Sequence, residues 1–76
     1  MVLSDLWSRM EAQYDMLPPR LREAAAHVRG NPADVALHGL RHTAREAGLS
    51  PGTLLRLVQA LGFPGWGEFQ ALHRDW

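Results

Sequence analysis

Between Arg41 and Leu61 the chain reads RHTAREAGLSPGTLLRLVQAL, and the Gly48-Leu49-Ser50-Pro51 run in its middle restricts the fold more than any other stretch. A helix that reaches Ala47 is expected to stop at Gly48, because glycine takes positive φ at no steric cost. Ser50 suits the cap of a second helix. Pro51 suits its first position, where the missing N–H loses nothing. Leu49, between them, is placed to plug the space between the two helices. Ala44 and Ala47 give the first helix small apolar positions. Leu54, Leu57, Val58 and Leu61 recur at helical spacing in the second, and Gly62 follows as its stop. The pattern predicts a helix-turn-helix over about residues 40–62, its second helix being the candidate reader of a DNA major groove. A helical hairpin inside an ordinary bundle fits the same residues.

The rest of the chain points to the same class. With 76 residues it holds one domain at most, covering 1–76, near the lower limit of independent stability. Ala and Leu are abundant while Val, Ile and Thr are sparse, which favours an all-α fold of five or six helices. The first helix is expected over 4–14 with Ser4 as its cap. Leu17-Pro18-Pro19 ends it, since a residue before proline is driven out of the helical region. A second helix is expected over about 19–29, with Leu21, Ala24, Ala25 and Val28 inward and Gly30 as its stop. Asn31-Pro32 repeats the cap-plus-proline pattern and opens a short third helix that turns Val35, Ala36 and Leu37 inward. After Phe63-Pro64-Gly65, Trp66, Phe69, Leu72 and Trp76 form the stripe of a last helix.

Leu3, Leu6, Trp7, Met10, Tyr14 and Leu17 make an apolar stripe that is wide for one helix in so small a chain. It is either core throughout, or Leu6, Trp7 and Met10 meet a second subunit in a weak homodimer. Chain-wide net charge is zero, yet the residues 38–62 carry Arg41, Arg45 and Arg56 against Glu46 alone. All eight basic residues are arginine, the side chain suited to bidentate contact with guanine or phosphate. There is no cysteine, which excludes disulfides and thiolate metal sites and is natural for a reducing cytoplasm. No apolar run suggests a membrane partner, and the N-terminus lacks a secretion signal pattern.

Position on the reader helix selects the candidate DNA contacts. Ser50, Pro51, Gly52 and Thr53 lie at its N-terminal turn, where hydroxyls and free N–H groups suit phosphate. Arg56 is the long donor on the outward face and the candidate for reading guanine. Arg41 and Arg45 are candidate clamps on the DNA backbone. Asp34, His38 and His42 are spaced by four, which on one helix would align three metal ligands. Gly39 interrupts that spacing, so surface histidines are expected instead. No nucleophile triad, carboxylate pair or glycine-rich phosphate loop is present, and neither catalysis nor a cofactor or metal is expected.

Residues 14–74 resemble the N-terminal helix-turn-helix domain of RpiR/MurR-type bacterial transcriptional regulators, which respond to phosphosugars. Leu17-Pro18 and Asn31-Pro32-x-Asp34-Val35-Ala36 carry part of the likeness. Ala44-x-x-Ala47-Gly48-Leu49-Ser50-x-x-Thr53-Leu54-x-Arg56-Leu57 is a block shared by many helix-turn-helix groups. Leu61-Gly62-Phe63-x-Gly65-Trp66-x-Glu68-Phe69 is more specific. Thr43 stands where such regulators usually carry leucine, Gly52 where they carry a larger residue, and Pro19 where they often carry serine. The resemblance implies sequence-specific binding to double-stranded DNA at a palindromic operator. It also implies a C-terminal sugar-isomerase-like effector domain, which is absent from these residues, so a phosphosugar would bind outside this chain. The alternative class is a helical protein–protein interaction module that does not bind DNA.

Overall fold

The computed structural model describes residues 2–75. Six α-helices follow in order: α1 (Leu3–Gln13), α2 (Pro19–Gly30), α3 (Pro32–Leu37), α4 (Leu40–Ala47), α5 (Pro51–Ala60) and α6 (Trp66–Arg74). A single 3-10 turn, Tyr14–Met16, joins α1 to α2, and no strand occurs among the described residues. None of these helices is long and apolar enough to cross a membrane. The fold is all-α, as composition and periodicity predict.

Local chemistry sets most boundaries. Leu17, before Pro18, is extended at φ −78° and ψ 144°, as a residue preceding proline must be. Prolines 19, 32 and 51 each open a helix. Three caps differ from expectation, the first being the end of α2, where Gly30 is still helical and Asn31 takes the cap position. α1 starts two residues earlier than Ser4 would set it, with Val2 in the cap position, and the Asp5 carboxylate accepts a hydrogen bond from the Val2 N–H at 3.3 Å. An acid at this position also favours the positive end of the helix dipole. Asn31 holds the cap position of α3, but its side chain turns back and donates to the His27 carbonyl at 2.8 Å. It closes α2 instead of opening α3.

The core runs through every helix. Leu6, Ala24, Val28, Val35, Ala44, Leu54, Leu57, Val58 and Phe69 are fully buried. α2 and α4 pack on α5, and α3 packs on α6. Phe69 is the centre of an aromatic group. Phe63 meets it edge-on at 5.3 Å between centroids, Trp66 lies at 5.5 Å and His73 at 4.6 Å, separations at which aromatic pairs add to simple burial. The His73 ring is buried, with Nδ1 2.8 Å from the Phe69 carbonyl and Nε2 without a partner. Burial pushes its pKa below the ordinary histidine value, and the bond to Phe69 opposes that shift only in part.

α6 also repairs the end of α3. Gln70 Nε2 donates to the His38 carbonyl at 2.7 Å and to Val35 at 3.3 Å. Trp66 Nε1 reaches His38 at 3.2 Å, and Arg74 Nε reaches Ala36 at 3.2 Å. A helix of six residues leaves most of its carbonyls unpaired, and these side chains satisfy those of Val35 and Ala36 and the His38 carbonyl just beyond the helix. Leu37 is an outright correction: it is 74% exposed and not part of the core, whereas Val35 is fully buried. Trp76 lies outside the described residues.

Candidate nucleic-acid interface

α4 ends at Gly48, with φ 71° and ψ 29° in the left-handed region. The Leu49 N–H donates to Ala44 at 2.9 Å and the Gly48 N–H to Arg45 at 3.1 Å, the paired bonds of a Schellman close. Leu49 is buried behind the turn. The end of α5 repeats the device: Gly62 has φ 97°, Phe63 donates to Val58 at 3.2 Å and Gly62 to Gln59 at 3.0 Å. Both ends of the pair are thereby fixed, and three residues connect the two helices, the connection length of a helix-turn-helix.

Ser50 caps α5 as the sequence predicts. Its hydroxyl accepts from the Thr53 N–H at 3.2 Å, and the two hydroxyl oxygens lie 2.9 Å apart. Pro51 has no N–H, and the Ser50 carbonyl and hydroxyl serve Thr53 and Leu54. The Gly52 N–H is therefore the first-turn amide left for an outside acceptor. A Cβ added at Gly52 would meet only Ser50 Oγ, at 4.0 Å. Packing does not require glycine there. Thr43 is buried, and its hydroxyl bonds to the Gly39 carbonyl at 3.0 Å, so a polar residue fits where the resembling regulators carry leucine.

Of the predicted contacts, Arg41, Arg45, Ser50, Pro51, Gly52 and Arg56 are exposed and Thr53 is half-buried. Leu54, Leu57 and Val58 face the core, which turns Gly52, Arg56, Gln59 and Ala60 outward. On α4, Arg41 and Arg45 lie one turn apart, beside a second row in which His42 Nε2 approaches Glu46 at 3.7 Å. His38 stacks on His42 with ring centroids 4.0 Å apart. No cluster of three metal-binding side chains exists among the described residues. His38 sits past the end of α3 and Asp34 within it, so the three do not share one helix.

The arginines divide into two groups. Arg9 donates to the Leu61 carbonyl at 2.8 Å, Arg20 to Glu23 and Gly48, and Arg74 to Ala36 and Gln70. Arg29 lies over the Trp7 ring, 3.8 Å from its centroid. Arg22, Arg41, Arg45 and Arg56 have no hydrogen bond or ion pair among the described residues. Three of these four are the arginines that the sequence places on the helix-turn-helix. Arg20 is a residue that sequence reasoning missed. Its Nη2 lies 3.4 Å from the Gly48 carbonyl, which brings the start of α2 against the turn; a separation of 28 positions carries no linear signal of that contact.

Of the three residues expected at a subunit contact, Leu6 and Met10 are buried within the protomer, with 0% and 4% exposed. They present no surface to a partner, because the stripe is used up in packing α1 onto the core. Trp7 alone reaches the surface, half-buried. No family model, no curated protein and no solved structure matches this chain.

Proposed function

We propose that this chain is a sequence-specific DNA-binding domain, similar to the N-terminal domain of RpiR/MurR-type regulators, with α5 entering the major groove. The observation that carries the reading is the division of the arginines: Arg41, Arg45 and Arg56 stay exposed and uncommitted beside a rigidly closed turn. Unpaired guanidinium groups next to a helix N-terminus are suited to phosphate and to guanine edges. In this reading Arg56 reads a base, the Gly52 amide and the Ser50 and Thr53 hydroxyls meet phosphate, and Arg41 and Arg45 clamp the backbone. A phosphosugar would act through a separate effector domain.

The longest dimension of the domain is 29 Å, whereas operator half-sites lie about 34–36 Å apart. One copy covers one half-site. Tight binding then needs two copies on a palindrome, held together weakly by this domain itself.

The competing reading is a protein-interaction module, favoured by Met16 and Leu37, which are 86% and 74% exposed. Selection from a pool of random DNA duplexes at low salt separates the two. DNA binding predicts enrichment of a palindromic sequence and an affinity that falls log-linearly with salt. A chain that retains no duplex even at low salt would leave the interaction module standing.

A further inference from the structure

A cavity of about 490 Å³ opens between α1 and α2, within the roughly 300–1,000 Å³ range of small-ligand sites. It shares no residue with the candidate DNA contacts. Met10 and Ala25, both buried, lie at its base, and the aromatic rings of Trp7 and Tyr14 line it with Ala26 at the edge. The polar lining is Glu11, Asp15 and Arg29. Glu11 and Asp15 are exposed and have no ion-pair or hydrogen-bond partner among the described residues. The Arg29 guanidinium is already set over the Trp7 ring, 3.8 Å from its centroid.

We propose that this groove binds small organic cations that carry bulky apolar or aromatic groups. Two carboxylates against one arginine leave the lining negative, which opposes any phosphorylated or carboxylated ligand. The aromatic and aliphatic base offers apolar area, and ring faces attract cations. Arg29 over Trp7 shows that this ring already holds one. A second copy of the chain is a poor occupant: a twofold axis would bring the same concave surface and the same carboxylates face to face, leaving a void and opposing like charges.

Isothermal titration of the intact chain at low salt, with tetraphenylphosphonium and the nearly isosteric tetraphenylborate, tests the proposal. The cation is expected to bind about tenfold or more tightly than the anion, a difference of one factor of ten being the scale of a single modest charge contact. Glu11→Gln combined with Asp15→Asn should erase that preference. Ala26→Trp should fill the groove and remove binding of the cation, and Arg29→Ala should strengthen it by removing the positive charge from the lining. All these positions are exposed, and circular dichroism checks that each variant stays folded. Equal affinity for the two ions would overturn the proposal. So would cation binding that survives the double carboxylate variant, or a dimer in sedimentation that Ala26→Trp abolishes while the cation fails to bind.

Discussion

Gly48 and Gly52 lie four residues apart and are glycines for different reasons. Gly48 sits at φ 71°, and a Cβ built on it meets nothing within 4 Å, so the cost of a side chain there is conformational and not steric. Gly48→Val should destabilise the domain by about 1–3 kcal/mol. Gly48→Asn should cost clearly less, since asparagine tolerates the left-handed region. Thermal unfolding of the two variants side by side decides it, and equal losses would refute the backbone argument. Gly52 lies inside α5 with open space around it. Gly52→Ala should raise stability by up to about 1 kcal/mol, and a loss of stability in denaturant titration would contradict that. At Arg56 the prediction concerns binding alone. The side chain is exposed and uncommitted, so Arg56→Ala should leave the melting temperature nearly unchanged and weaken operator affinity by about 1–3 kcal/mol. A sharp fall in melting temperature with unaltered affinity would make Arg56 a structural residue.

At the scale of the helix, the legible parts were those governed by backbone chemistry. Proline openings, the Ser50 cap and the glycine stop after α4 follow from the φ each residue can adopt and the donors it lacks, and they stand where the sequence puts them. Ser4 misled because a serine looks like a cap wherever it precedes an apolar run. The identity of the cap was decided by Asp5 reaching back to Val2, three residues away. Leu37 misled because a six-residue helix has too few turns for its apolar face to be read from periodicity. The end of α3 is instead shaped by Trp66, Gln70 and Arg74 from the far end of the chain. The stripe of α1 was visible, but not its fate, since burial of Leu6 and Met10 depends on how closely other helices approach. Among the candidate contacts, position on the helix was legible. Which arginines remain uncommitted was not, because the carbonyls that engage Arg9, Arg20 and Arg74 are distant in sequence.

For the whole molecule, one buried titratable group links fold to pH. His73 has a folded-state pKa below its unfolded value near 6.5. Below pH 6.5 the unfolded chain takes up a proton that the folded chain resists. The stabilising contribution is thus complete above that pH and is lost as pH falls, at up to about 1.4 kcal/mol per pH unit until the folded-state pKa is reached. Denaturant titrations of the protein and of His73→Leu between pH 7.5 and about 5 should show the flatter profile in the variant. Parallel profiles would mean that the ring is protonated in the fold without penalty. Assembly is the second property at this scale. Because the domain is shorter than the spacing of two half-sites, affinity for a palindrome should exceed that for a lone half-site by far more than twofold. Sedimentation of the free chain should show a monomer or weak dimer, and equal affinities for the two DNA sites would rule out cooperation between copies.

The outward face of α5 is made of Gly52, Arg56, Gln59 and Ala60, side chains that take no part in the core. The residues of that face and the residues of the core are therefore separate sets within a single helix. If the domain binds DNA as proposed, a duplicated gene is able to exchange these four residues and acquire a new target without passing through an unfolded ancestor. The inner residues Leu54, Leu57 and Val58 meanwhile hold the lineage to one shape.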